Sequence, residues 1–331
     1  MDLANVIGQE SGGNLTDPST RYRMQRNLSG LLFLTVFALS QAVRDTFFAN
    51  TFQSVSFLFV AALAFGMSTL LFGGWVVLNA PQEIRFLSGR PARFAVLNLT
   101  TALAWLAYFF ALKHLEPAIV NMIYVGVGPL VILFWSGGER PGHIRFAEYA
   151  AYTGIAAALA GIAYVALFGH SGLQSDDATL RTGALIAVAI GGVSITVSHV
   201  IARQFNDDGA SSNLVFASRF LIVVATAAAA EAIFGTPALR PEGSQLGWIA
   251  LCAFALIVIP SFSLQLGIAR SSPLSVNVIR AMGPVFVFAA QQLDDRLSFS
   301  SATLICILLF SISASAASGL RAHAELRQTR D

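Results

Sequence analysis

Arg280 is the residue of this chain best placed to act on a ligand. It stands inside an apolar run, one turn after Asn277 and one turn before Pro284, so the three share a helix face. If that run crosses a bilayer, a central arginine costs about 2.5–3.5 kcal/mol on insertion scales. Three roles can offset such a cost. The residue binds an anion or carboxylate, snorkels to the surface, or pairs with a structural acid. Asn121 and Tyr124 make a similar face in an earlier run, with Gly128 one turn on. Two asparagines in lipid either hydrogen-bond a substrate or join helices to each other, the latter at about 0.6–2 kcal/mol. Tyr124 is expected to line a cavity. Trp105 lies deep in its run, whereas Trp75, Trp135 and Trp248 fall near span ends, where an aromatic belt accounts for them.

The elements that carry these residues are duplicated. Residues 104–123 read AWLAYFFALKHLEPAIVNMI and residues 260–279 read PSFSLQLGIARSSPLSVNVI. Aligned, Pro117 falls on Pro273, Asn121 on Asn277 and Ile123 on Ile279. After one dropped residue, Gly128-Pro129 falls on Gly283-Pro284. The same alignment sets Trp105 against Ser261 and Phe109 against Gln265, an aromatic wall facing a polar one or plain packing. Pro129 and Pro284 each remove a helix hydrogen bond and serve as gating bends.

Composition places the whole chain in a membrane. It has 331 residues, 55% hydrophobic and 11% charged, with a mean hydropathy of +0.67. A soluble core does not hide that much apolar surface. The net charge of +2 gives no reason to expect a nucleic acid partner. Ten spans are expected, at about 29–48, 53–79, 93–112, 117–136, 147–168, 182–202, 212–235, 246–268, 273–292 and 298–320. Residues 1–27 are polar, lack the apolar stretch of a signal peptide and read as a disordered cytoplasmic tail. Residues 321–331 read as a second tail. Cys252 and Cys306 lie in apolar spans as reduced packing residues, and no metal or other cofactor is expected.

Even span number puts both termini on one side. With the termini inside, Arg21, Arg23, Arg26, Arg85, Arg90, Arg93, Arg140, Arg145, Arg203, Arg270, Arg321, Arg327 and Arg330 are cytoplasmic. Only Arg44, Lys113, Arg181, Arg240 and Arg296 face out, a positive-inside bias for the plasma (inner) membrane. The duplicated units, 28–168 and 181–320, hold five spans each. An odd number turns the second unit upside down, so the SGGERP and LDDRLS turns lie on opposite sides. Inverted repeats place a substrate site near the midplane between the halves.

Arg44 and Asp45 end the expected first span. They read as a solvated outer mouth, paired with each other or with Lys113 and Glu116; the sharper alternative makes Asp45 a protonatable coupling group. His199 is its approximate repeat mate, near the inner end of the sixth span, and reads as an interfacial residue or a proton relay. Glu148, Arg219 and Glu231 are expected to snorkel from helix ends. The small residues of YTGIAAALAGIAY and SISASAASG suit close packing, as scaffold or as the face of a homodimer.

The chain resembles the drug/metabolite transporter superfamily, EamA type. The strings ALKHLEPAIVNMIYVGVGP (111–129) and GIARSSPLSVNVIRAMGP (267–284) carry the likeness, with Gly-Glu-Arg at 138–140 and Asp295-Arg296-Leu297-Ser298 after the ninth span. It covers nearly everything except the tails. Its first span departs from the pattern at Ala-Val-Arg-Asp, 42–45. The resemblance implies an exporter of small metabolites through the lipid bilayer and leaves the substrate open. A channel-like facilitator is the alternative. An enzyme is not expected, because the five histidines are scattered without metal-ligand spacing. No phosphate-binding loop is present for ATP-driven pumping.

Overall fold

The computed structural model describes residues 18–135, 146–173, 177–236 and 239–328. The SGGERP turn with Arg140 and Arg145, residues 1–17, Arg330 and the side chains of Trp135 and Arg327 lie outside the described residues. The described chain is all-helical. Helix α1 spans Pro18–Thr51 and α2 Phe57–Asn79; the short α3 is Ile84–Ser88. Then follow α4 Pro91–His114, α5 Pro117–Trp135, α6 Phe146–Leu167 and α7 Ala178–Asp207. Next come α8 Ser212–Ser218 and α9 Leu221–Phe234 as one interrupted rod, then α10 Gly243–Ala253 and α11 Ile259–Arg270 as another. Helices α12 Pro273–Gln291 and α13 Ser301–Gln328 complete the chain.

Local chemistry explains where the helices begin. Pro91, Pro117 and Pro273 open α4, α5 and α12, where the missing N–H costs nothing. Ser56, Asp177, Ser211 and Ser272 cap the next helix by accepting from its first free amides. Inside the α10–α11 rod, Phe254–Val258 forms a π turn, with Ile259 N–H bonded to Phe254 O. Pro260 follows at once, so the shifted register absorbs a residue that cannot donate.

Among the described residues, nine segments are long and apolar enough to cross a membrane, and Pro117–Leu133 is a shorter apolar helix. This makes an integral-membrane helical protein. Expected boundaries move at both tails and in the first span, among others. Residues 18–27, read as tail, are helical in α1, and the second tail is helical through Gln328. The expected first span grows to Thr51, which carries Arg44 and Asp45 inward from the helix end.

Hydrogen bonds define two ends of the bundle. At one, Gln53 donates to Lys113 O (2.9 Å), Ser56 N–H to Leu239 O (3.1 Å) and Ser298 N–H to Gly172 O (3.0 Å). At the other, Arg93 meets Asp208 at 3.0 Å and Ser211 binds Glu83, while α1 at Gly30 runs against the turn at Arg270-Ser271. These are called the Lys113 end and the Arg270 end below. In between, α7 wedges against α4 and α5, and α1 wedges against α11 and α12. Helix α5 packs on α12, α6 on α13, and α2 on α8 and α9.

Glycine permits the α7 wedge. A Cβ on Gly192 would sit 2.9 Å from the Tyr124 carbonyl oxygen, and one on Gly191 would sit 3.3 Å from that of Ala104. Neither backbone can retreat cheaply. Gly192→Val is expected to destabilise the fold by about 1–3 kcal/mol through overpacking. Thermal unfolding of the purified protein measures this, and a neutral result would mean α7 can move away from α5.

Candidate functional site

A small recess lies at the centre of the bundle, walled by both halves of the chain. Gln41 and Arg44 come from α1, Trp105 from α4, Tyr124 from α5 and His199 from α7. Arg219 stands at the α8–α9 break, Ser261 and Gln265 on α11, and Arg280 on α12. The recess measures about 40 Å³, against about 300 Å³ or more for a typical ligand site, so it is closed down around its own polar groups. Four buried polar atoms on its wall have no hydrogen-bond partner among the described residues: Arg44 Nη1, Tyr124 Oη, His199 Nδ1 and Ser261 Oγ. Orphaned polar atoms are uncommon in protein interiors. Here all four belong to residues that line one recess.

Behind the recess lies a buried polar network. Arg44 is 2% and Asp45 0% exposed. Asp45 accepts from Arg44 Nε at 2.8 Å and Nη2 at 2.7 Å, from Tyr108 Oη at 2.5 Å and from Asn121 Nδ2 at 2.9 Å. The guanidinium lies 5.3 Å from the Trp105 ring centre and 5.4 Å from that of Tyr108. The expectation of a solvated outer mouth at Arg44 and Asp45 is therefore wrong. Four donors compensate the carboxylate, and α1 continues beyond it, so the pair is held inside the protein.

Arg219 corrects a second expectation. Its helix breaks there, and the side chain turns inward, 5% exposed, rather than snorkelling. It donates to Ser198 Oγ at 2.7 Å and to Thr101 Oγ1 at 3.4 Å. Neither partner is charged. Arg280 has no hydrogen bond or ion pair among the described residues. Glu231 and Glu148 are buried as well; Glu231 is bound by Ser56 and Arg240.

A second cavity, of about 210 Å³, runs from Arg280 toward the Arg270 end, past Gly128, Pro129 and Asn277 to Arg321. Val125 and Arg280 are the residues common to both cavities. Each lies four residues before a helix proline, Pro129 or Pro284. Those prolines free the carbonyls of Val125 and Arg280 from their helix bonds. The two prolines expected to be gating bends thus each stand one turn after a residue that both cavities share.

The Lys113 end is sealed by Glu116, which is 1% exposed. It accepts from Gly172 N–H at 2.8 Å, from Thr303 Oγ1 at 3.2 Å and from Gln291 Nε2. Gln291 Oε1 in turn accepts from Ala118 N–H at 3.0 Å. One carboxylate so joins the α4–α5 turn, the α6–α7 connection, α12 and α13. It does not pair with Arg44 or Asp45. Burial pushes its pKa up from the ordinary 4.5, with the bonds from Gln291, Gly172 and Thr303 pulling the other way. A raised folded-state value means this group stabilises the seal most in acid and loses that contribution as pH rises through the shifted value. Glu116→Ala is expected to leave each buried donor unpaired at about 1–3 kcal/mol apiece. In a background lacking Cys252 and Cys306, a cysteine replacing buried Thr303 should then react at least roughly tenfold faster with a water-soluble maleimide. Equal rates would show that another contact holds this end.

Of the residues singled out from sequence, Arg44, Trp105, Tyr124, His199, Ser261, Gln265 and Arg280 share the recess. Asn277 and Pro129 line the second cavity. Asn121 and Asp45 stand behind the recess. The two asparagines do not bond each other: Asn121 is held by Asp45 and Tyr108, while Asn277 is exposed to the second cavity. His199 is set two turns in from the end of α7, facing the recess, because that helix runs to Asp207. Gln41 and Arg219 were missed as wall residues. Their only signal was polarity within an apolar stretch, which a helix-end position seemed to explain for Arg219.

No family model and no curated protein matches this chain. A solved structure described only as "Crystal structure of protein" superposes with a TM-score of 0.61 at 19% identity, covering 89% of this chain and 97% of that one. At that identity the likeness concerns the fold alone.

Proposed function

We propose that this protein is a secondary transporter, working by alternating access at a midplane site between two inverted five-helix halves. The observation that carries the reading is the central recess. It gathers polar groups from both halves that have no partner among the described residues, is sealed toward the Lys113 end and shares Val125 and Arg280 with the cavity toward the Arg270 end. A carrier closed on one side has this form; the prolines beside Val125 and Arg280 are where it would bend.

Two further observations support the inverted repeat. Exchange the halves, so that α1 matches α7, α2 matches α8–α9, α4 matches α10–α11, α5 matches α12 and α6 matches α13. The contact of α4 with α7 then becomes that of α11 with α1, and the contact of α5 with α7 becomes that of α12 with α1. Contacts α5–α12 and α6–α13 map onto themselves. And α5, with 19 residues, is about 28 Å long at 1.5 Å per residue, close to the roughly 30 Å of a bilayer core. It serves as the tenth span.

The cargo belongs to the small polar metabolites, the class of amino acids and related zwitterions or anions, and is moved outward across the plasma (inner) membrane with both termini cytoplasmic. The direction and the EamA-type membership rest on the motif strings. The small-residue faces of α6 and α13 pack on each other, which supports the scaffold reading over the homodimer face. The test is counterflow in reconstituted vesicles: saturable exchange of a labelled metabolite is expected. Conductance without saturation would replace the carrier with a channel, and chemical conversion would replace it with an enzyme. Tags in SGGERP and LDDRLS should be accessible from opposite faces.

A further inference from the structure

From the charges around the two cavities, and resting on the transporter reading, we infer that the cargo is a dianion, such as a dicarboxylate or a phosphate monoester, and not a zwitterion. The recess holds the guanidinium groups of Arg44, Arg219 and Arg280 and no carboxylate among the described residues of its wall. The second cavity adds Arg321, again with no Asp or Glu among the described residues of its wall. Of the three arginines of the recess, Arg44 alone has an acid partner among the described residues, and that acid is used up. Both oxygens of Asp45 are already engaged, one by Arg44 and the other by Tyr108 and Asn121. Arg219 has hydroxyl partners alone, and Arg280 has no hydrogen-bond partner among the described residues.

Among the described residues, buried Arg219 and part-buried Arg280, beside the second cavity, thus have no acidic counter-charge, and an uncompensated charge so placed is disfavoured. An occupant with two negative charges neutralises both. A zwitterion supplies one, and its ammonium would lie among three guanidinium groups with no free carboxylate to receive it. A monoanion leaves one arginine unmatched. The planar guanidinium fork suits carboxylate and phosphate oxygens equally. Arg44 Nη1, Tyr124 Oη and Ser261 Oγ remain as donors for further oxygens.

The experiment is ligand-dependent thermal stabilisation of the purified full-length protein, run beside counterflow in vesicles. Succinate and glycerol 3-phosphate are the dianionic probes; butyrate, glycerol and alanine are their singly charged, neutral and zwitterionic counterparts. At least one dianion should stabilise with a half-saturating concentration at least roughly tenfold below those of the counterparts. Which of the two does so separates carboxylate from phosphate cargo. R219Q and R280Q should each weaken that binding roughly tenfold or more, R219K and R280K should weaken it less, and R270Q, at the bundle end, should leave it unchanged. The Lys variants and the ligand-free melting temperatures distinguish lost charge from lost folding. Alanine binding as well as or better than the dianions would overturn the inference and leave the transporter standing. Stabilisation by no dianion would overturn it too. Dianion binding with no exchange of any probe would instead sink the transporter reading while keeping the anion site.

Discussion

Arg280→Ala is expected to abolish exchange in reconstituted vesicles without impairing insertion, and without lowering the melting temperature of the ligand-free protein. The two halves of this result follow from one fact: the guanidinium has no protein partner among the described residues. Removing one member of a buried charge pair costs about 2–5 kcal/mol in affinity, which is roughly thirtyfold to several thousandfold in binding. That loss falls on the bound state, where cargo would supply the counter-charge. In the empty protein the same substitution removes a charge that costs about 2.5–3.5 kcal/mol to hold at a helix centre. Stability should therefore stay level or rise. A structural arginine behaves oppositely, lowering stability and activity together. Unchanged exchange would remove Arg280 from the site; a falling melting temperature with intact binding would make it a support.

Asp45→Ala should show that opposite pattern. The carboxylate is the shared acceptor for Arg44, Tyr108 and Asn121, so its loss leaves a buried cation and two buried donors unpaired. Breaking a buried ion pair from one side costs about 3–5 kcal/mol, a large part of the stability of most domains. Asp45→Asn, which keeps the size and one acceptor oxygen, should cost less. Replacing Arg44 and Asp45 together by Met and Leu should cost less than the sum of the single changes, because the uncompensated charge goes with its partner. Equal and additive losses in thermal or denaturant unfolding would show that the pair is not coupled. Since Arg44 also lines the recess, Asp45→Ala should weaken cargo binding as well, through displacement of that side chain.

The duplicated Pro–Asn–Gly-Pro strings located the two helices, α5 and α12, that carry the residues shared by the two cavities. They did so because proline at a helix start and proline within a helix act locally, on the backbone of their own turn. The same strings could not tell the two asparagines apart. Asn121 is drawn to Asp45, which lies 76 positions away in the chain, while Asn277 has no such neighbour and faces the open cavity. Arg219 shows the limit in another form. Seen along the chain it sits near the start of a span, where snorkelling is the natural reading; the interruption after Ser218 and the hydroxyls of Thr101 and Ser198 turn it inward instead. Glu116 was read as a possible partner of Arg44 and Asp45, but its three partners come from segments 56 to 187 residues away.

Hydropathy, helix starts and internal duplication are properties of neighbouring residues, so this chain declares by itself that it is a membrane bundle and where its helices with an internal proline lie. Which charges are compensated and which are left open depends on side chains brought together from distant helices. That is a matter of three-dimensional distance, because the strength of a charge or hydrogen bond depends on a few ångströms and on the exclusion of water. Packing alone decides that Asp45 is spent on Arg44 while Arg219 and Arg280 line the recess with no acid partner among the described residues.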